Sequence, residues 1–332
     1  MQRRTFLAAS AALAFAPSAR AAPTTLRVGY IPILPMTPLF VLAGEGWAAS
    51  QNLELKLAPF SSGPAMVQAM AADSLDIAYV GVGPALVARS RGLPQRVVAS
   101  CVVDQVALVG RGALARDYDP ADPAGSFRRF REREGHAAKI ATLPPGSVPD
   151  AVLRYWLLRI AKIAPTDVEV IGVGEDAVQQ QLLAGAVDAA SILEPILTIV
   201  QEREPSARVL VKNGELMPGQ PGAVVVASEN AITQQPDAVK ALVMLHARAI
   251  AFIHTHTDRT VDHVAQFVGK GLVDPATLKR ALQRETPRFV GDPRKILTGT
   301  TGLQDFMVEL GALSKSTPLE QLFEFRFYDA TR

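Results

Sequence analysis

Residues 75–85 read LDIAYVGVGPA. An acid precedes a short apolar run, and two glycines and a proline follow it. The run suits a buried strand, and Gly81, Gly83 and Pro84 suit the turn that ends one. A lone turn of this kind is ordinary punctuation, so its return elsewhere decides the fold. Shifted by 112 residues, LRVGYIP at 26–32 falls on AKIATLP at 138–144, with Val28 on Ile140 and Pro32 on Pro144. SSGPAMVQAMAADSLDIA at 61–78 falls on VGEDAVQQQLLAGAVDAA at 173–190, with Asp76 on Asp188. The turn itself is echoed, one residue out of step, by Ser191-Ile192-Leu193-Glu194-Pro195.

Each copy orders a strand, a loop, a helix, an Asp, a short strand and a Pro-bearing loop. Helices between successive strands imply parallel pairing. The expectation is an α/β chain of two similar lobes, each a sheet flanked by helices. Ligands in such sheets bind outside the carboxyl ends of the strands. Six loops therefore matter: 30–38, 61–64 and 81–84 in the first lobe, and 142–148, 174–176 and 191–195 in the second. Facing lobes would set all six around one cleft.

The 332 residues suggest about two domains, and 48% hydrophobic with 20% charged residues is ordinary for a globular chain. VVASCVVDQVALVGRG at 97–112 and LMPGQPGAVVVAS at 216–228 are candidate hinge crossings. The first lobe is then expected from 22–109 and 218–332, and the second from 110–217. Residues 230–330 follow a helical pattern, and no later stretch is expected to reach membrane-spanning length. Two hinge strands allow closure over a ligand by bending.

MQRRTFLAASAALAFAPSARA at 1–21 has a basic start, a short apolar segment and a small-residue cleavage site, the plan of a secretory signal. Arg3-Arg4-Thr5-Phe6-Leu7 resembles the twin-arginine export motif. Cleavage after Ala21 removes Arg3, Arg4 and Arg20, leaving 31 basic against 32 acidic residues, so nucleic-acid binding is not expected. Cys101 is the sole cysteine, and none follows the cleavage site to carry a lipid. The expectation is a free periplasmic monomer.

The signal, LRVGYIP, the loop before AMVQAM, LDIAYVGVGPAL, PPGSVPDAVLRYWL and VDAASILEP together resemble periplasmic substrate-binding proteins of ABC importers. The resemblance is to the branch handling nitrate, taurine, aliphatic sulfonates and thiamine-pyrimidine precursors. It implies a type II periplasmic-binding fold, a small ligand held between the lobes, and delivery to a membrane permease, with no cofactor. A receptor serving a membrane sensor would use the same closed form.

The candidate ligand-binding residues come from the six loops. Gly81 and Gly83 strip side chains where a ligand would approach the main chain, and Pro84 suits the first turn of a helix. Ser61, Ser62 and Gly63 precede or open one helix, and Gly146, Ser147 and Val148 another, with residue types that cap. Tyr30, Met36 and Thr37 follow the first strand, where the family places part of its pocket. Asp176 and Glu194 complete the set, Glu194 as a ligand contact or a hinge residue. No Lys or Arg falls in the six loops. That argues against a compact anion such as nitrate and for a larger organic sulfonate or carboxylate held by neutral donors.

Asp104 and Gln105, at the expected hinge, suit structural polar roles. His254, His256 and His263 lie at a helix end away from the loops and suggest a solvated terminus rather than a metal site. The basic cluster Arg128, Arg129, Arg131 and Arg133 is interleaved with acids, as on a solvated helix face. The resemblance also allows an enzyme, since related two-lobed folds host sulfinate-cleaving and pyrimidine-forming chemistry. Cys101 and all five His lie outside the six loops, so catalysis would rest on Glu175, Asp176 or Glu194 alone. The expectation is a binding protein.

Overall fold

The computed structural model describes residues 22–269, 273–284 and 288–332. The expected signal segment lies outside them. Among the described residues, twelve strands are formed: β1 (Thr24–Tyr30), β2 (Leu53–Pro59), β3 (Ile77–Gly81), β4 (Gln95–Ser100), β5 (Val102–Val103), β6 (Ala107–Gly110), β7 (Ala138–Thr142), β8 (Val168–Gly172), β9 (Ala189–Ile192), β10 (Arg208–Val211), β11 (Ala223–Ser228) and β12 (Arg288–Phe289). They make two five-stranded sheets, β2-β1-β3-β11-β4 and β8-β7-β9-β6-β10, and a small β5–β12 ribbon.

The two sheets repeat one plan. Strands β1, β2 and β3 pair in parallel, as do β7, β8 and β9. In each sheet the fourth position holds one reversed strand, β11 or β6, each entered from the opposite lobe. The repeat extends to register. Val28 pairs with Ile77 and Gly29 with Ala78, and their counterparts 112 residues on, Ile140 with Ala189 and Ala141 with Ala190, pair in the same way.

The echoed aspartates explain part of that register. Asp76 accepts the Arg27 backbone N–H at 2.8 Å, while its own N–H donates to the Arg27 carbonyl at 2.9 Å. Asp188 makes the same two bonds with Lys139, at 2.8 and 2.9 Å. A side chain thus extends each parallel ladder by one rung before the strand proper begins.

β6 lies wholly in the second sheet, so that sheet begins at Ala107 rather than at the expected boundary of 110. The two crossings run side by side. The fully buried Gln220 sits between them: its Oε1 accepts the backbone N–H groups of Gln105 (3.0 Å) and Val106 (2.8 Å), and its Nε2 donates to the Asn213 carbonyl. The Asp104 N–H donates to the Gln220 carbonyl at 3.0 Å.

The C-terminal region is helical, as its pattern suggests. Pro236–Thr255 and Thr257–Phe267 pack on the first-lobe helix Thr37–Gly44, while Pro275–Gln283 packs on Ile196–Arg203 of the second lobe. Contrary to expectation, Pro236–Thr255 is long and apolar enough by composition to cross a bilayer. Its apolar stripe, Val239, Leu242, Val243 and Ala249, is instead buried against the first lobe. His246 on the same stripe is buried and donates from Nε2 to the Ser100 carbonyl (2.8 Å), leaving Nδ1 to accept from the Tyr79 hydroxyl (3.2 Å). Burial holds its pKa down at about 4, against the pull of the Ser100 bond.

Candidate functional site

The strand ends place the six loops on the seam between the lobes, and each loop contributes to the lining of a line of cavities. The outer cavity, about 540 Å³, is walled by Tyr30, Pro32 and Pro59 of the first lobe and by Glu175, Asp176, Gln179, Pro195, Ile196 and Ile199 of the second. Gln266, Phe267 and Val268, from the end of a C-terminal helix, close a third side. An inner cavity of about 30 Å³ is enclosed by residues that include Met36, Gly63, Gly81, Pro84, Gln105, Ser147 and Val148. A cleft of about 10 Å³ lies between them. It shares Glu175 and Ile196 with the outer cavity and Leu143 and Leu193 with the inner one.

Local sequence explains the inner wall. Ser62 caps the helix Gly63–Ala71, its Oγ accepting from the Ala65 N–H (3.4 Å). Ser147 caps Val148–Tyr155 by accepting from the Asp150 N–H (3.3 Å). Glycine is required where the lobes meet. A Cβ on Gly81 would come within 3.0 Å of Val148, and one on Gly83 within 2.8 Å of the Gly146 carbonyl oxygen. Gly146 itself turns through a φ of +86°, a conformation that favours glycine.

The outer wall is aromatic and acidic. Tyr30, at the end of β1, packs edge-on to Phe40 and Phe267, with ring centroids 5.5 and 6.0 Å apart. Burial pushes its phenol pKa up. Glu175 and Asp176 open the helix Glu175–Ala184. Asp176 is exposed, whereas Glu175 keeps some open surface but is crowded on every side. That crowding, and then the charge of Asp176, push the Glu175 carboxyl up to about 8.

Glu194 lies behind the cavities. Buried and at the seam, it accepts from the Thr198 N–H (3.0 Å) and faces Arg284 at 3.4 Å, while its carbonyl accepts from the Leu34 N–H of the other lobe (3.2 Å). Burial raises its pKa to about 7 against the pull of Thr198 and Arg284.

Of the residues expected from sequence, Tyr30, Met36, Gly63, Gly81, Pro84, Ser147, Val148 and Asp176 line a cavity. Ser62, Gly83, Gly146 and Glu194 stand directly behind that lining. Thr37 and Ser61 do not join it. Thr37 is buried with its hydroxyl donating to the Leu34 carbonyl (2.6 Å), and Ser61 is exposed. The helix-end histidines also stay apart. His263 is buried against Glu45 (2.5 Å), and His256 stacks on Phe252. Three of the four arginines in the basic cluster are tied into ion pairs, Arg129 with Asp122, Arg131 with Asp167, and Arg133 with Asp117 and Glu134.

The sequence missed Gln179, Ile196, Ile199, Gln266 and Phe267. Ile196 and Ile199 carried a findable signal, since they open the helix that follows the LEP turn. Gln266 and Phe267 carried none, because they come from a distant helix end.

A protein of Brucella abortus (strain 2308), provisionally named as a binding protein, is 31% identical over 284 residues, covering 84% of this chain and 82% of its own. One of Bacillus subtilis (strain 168), provisionally named for aliphatic sulfonates, is 24% identical over 298 residues, covering 88% of this chain and 84% of its own. Among solved structures, the periplasmic nitrate-binding protein of Synechocystis superposes with a TM-score of 0.79 at 16% identity, covering 93% of this chain and 88% of that one. The NMT1-like family profile matches residues 19–269, and with three quarters of its length inside that profile the chain belongs to the NMT1-like family.

Proposed function

We propose that this chain is a periplasmic solute-binding protein that captures one small organic molecule in the seam between its lobes and hands it to an ABC-type membrane permease. The observation that carries the proposal is the convergence of all six strand-end loops on one line of cavities between two like sheets. A cavity of about 540 Å³ is of the size that accommodates a metabolite-sized ligand. Two adjacent hinge strands joined through Gln220 supply a place to bend. Export through the amino-terminal segment and action as a monomer belong to the same proposal.

The site residues proposed are Tyr30, Asp176 and Glu175 in the outer cavity, with Met36, Gly63, Gly81, Pro84, Ser147 and Val148 at the inner end. Sulfonates and related organic acids are the first class to try, because a relative carries that name.

Thermal melting of the mature protein against alkanesulfonates, taurine, nitrate, aromatic carboxylates and pyrimidines tests the proposal. Ligand at about 1,000 times its dissociation constant adds roughly 4 kcal/mol, or a midpoint rise of about 10 °C for a chain of this size. One class giving that rise and recovered unchanged supports capture. A compound consumed during the assay would mean catalysis instead.

A further inference from the structure

We infer that Gln105 reads the ligand directly, its carboxamide accepting a hydrogen bond from a hydroxyl at the inner end of the seam. The preferred cargo is then an organic acid whose far end carries a hydroxyl group. The inference rests on the reading of the seam as the binding site and names the chemistry of the ligand's buried end.

Gln105 is 5% exposed and lines the inner cavity. Among the described residues, its buried Oε1 has no hydrogen-bond partner. A carboxamide oxygen removed from water without a donor costs free energy until something donates to it. The space from which a donor can reach this side chain is the cavity that it lines.

The residue is also held in place. Its backbone N–H donates to Gln220 Oε1 at 3.0 Å. On another side Gly222 makes room for it, since a Cβ there would stand 3.0 Å from both Cδ and Oε1 of Gln105. The two neighbouring glutamines differ in a way that separates their roles. Gln220 spends both ends of its carboxamide on backbone groups, whereas the oxygen of Gln105 is kept free beside a cavity. A polar group that is fixed by its surroundings and left unpaired is placed to discriminate among ligands.

The same cavity holds a matching donor. Ser147, 4% exposed, lines it as well. Its Oγ accepts from the Asp150 N–H at 3.3 Å, and a serine hydroxyl also has a proton to give. A ligand hydroxyl can donate to one of these partners while accepting from the other. A sulfonate or carboxylate offers acceptors alone and would set its oxygens against Gln105 Oε1. Size agrees, because a volume of about 30 Å³ has room for about one or two water-sized groups. Leu143 and Leu193 line both this cavity and the cleft leading outward, so the segment joining the two ends of the ligand is apolar. The acid group is left to the wider outer cavity. There the Tyr30 phenol and the Glu175 carboxyl, pushed up to about 8 by crowding, are protons' donors at neutral pH.

The test is a set of matched acids that differ by one terminal hydroxyl: ethanesulfonate with isethionate, butyrate with its terminal hydroxy derivative, and benzoate with its para-hydroxy derivative. Binding to the mature protein is measured by melting midpoint and by calorimetric titration at millimolar ligand. In at least one pair the hydroxylated member should bind about tenfold or more tightly than its bare partner. In Gln105→Met, which keeps the length of the side chain and removes its polar atoms, that ratio should fall toward unity. The ratio separates recognition from a structural role, because a loosened fold weakens both members of a pair alike.

Equal binding within every pair, preference for the bare members, or no response to any member would overturn the inference from the unsubstituted protein alone. So would a hydroxyl preference that survives in Gln105→Met. A deproteinised extract of the source cells separates the two levels of failure. If the extract raises the midpoint while no hydroxy acid does, the binding reading stands and the hydroxyl assignment falls. If neither does, the binding reading falls with it.

Discussion

Gly83 of the first lobe and Gly146 of the second meet across the seam so closely that a Cβ on Gly83 would stand 2.8 Å from the Gly146 carbonyl oxygen. Neither position tolerates bulk while the lobes stay together. Gly83 lies within the helix Val82–Ser90, where alanine would otherwise gain about 1 kcal/mol over glycine. Gly83→Val should therefore leave the unliganded fold nearly as stable while lowering affinity for whichever compound the melting panel identifies by about tenfold or more. Titration calorimetry checks the affinity, and X-ray scattering should show a larger radius of gyration with ligand present. Unchanged affinity would mean that the lobes need not meet here.

Gln220 presents a different kind of vulnerability. Its carboxamide oxygen accepts from two backbone N–H groups, those of Gln105 and Val106, in a fully buried setting. Gln220→Leu leaves both donors without that partner, at about 1–3 kcal/mol each. A loss of about 2–5 kcal/mol in urea unfolding is expected, with Gln220→Glu less damaging than Gln220→Leu. A loss below about 0.5 kcal/mol would show that the crossings do not depend on this clasp.

The two echoed aspartates should differ in cost. Both accept a backbone N–H, but Asp76 also holds the Arg27 guanidinium at 2.7 Å, whereas Asp188 has Lys139 as its backbone partner. Burial pushes the Asp76 carboxyl up, yet the bonds from Arg27 outweigh it and leave the pKa below the usual range. Asp76→Ala is expected to cost about 2–3 kcal/mol and Asp188→Ala about 1–2. Because the folded pKa of Asp76 is lowered, its contribution is present above the unfolded value and is lost as pH falls through the folded one. Equal losses at neutral pH would contradict this account.

Between pH 6.5 and 8 the balance is set by acids of the opposite kind. Glu175 and Glu194, raised to about 8 and about 7, hold protons in the folded chain that the unfolded chain has released. Stability therefore falls as pH rises through those values. His246, held at about 4, acts in the other direction, but only between about 4 and its ordinary value of 6.5. The midpoint should decline from pH 6.5 to 8, and Glu175→Gln should flatten the decline. A slope unaffected by that substitution would place the titrating group elsewhere.

The repeat was legible because it is written in local chemistry. Strand–helix alternation, the Asp before each short strand, and Gly or Pro at strand ends are properties of adjacent residues, and Asp76 and Asp188 occupy equivalent bonds as their spacing suggests. Ser62 and Ser147 were legible as caps for the same reason. Phe267 was not, since nothing near it in sequence shows that it stacks on Phe40 at 4.7 Å and reaches the cavity. Gln220 was hidden in a Pro/Gly stretch whose composition suggests a loose linker rather than a buried clasp. Thr37 misled because its place after a strand resembled a pocket position, while the fold uses its hydroxyl within the backbone turn.

The C-terminal helices join the lobes a third time. Thr257–Phe267 rides on the first lobe, and Pro275–Gln283 is fastened to the second by Thr277 and Arg280, both on Glu202, at 2.8 and 2.6 Å. A cleft that swings open on its two strands must also break these contacts on Glu202 or carry them with it. The molecule is then less a clam shell than a purse with a buckle. The buckle is at Glu202, which lies outside the lining of the cavities described above.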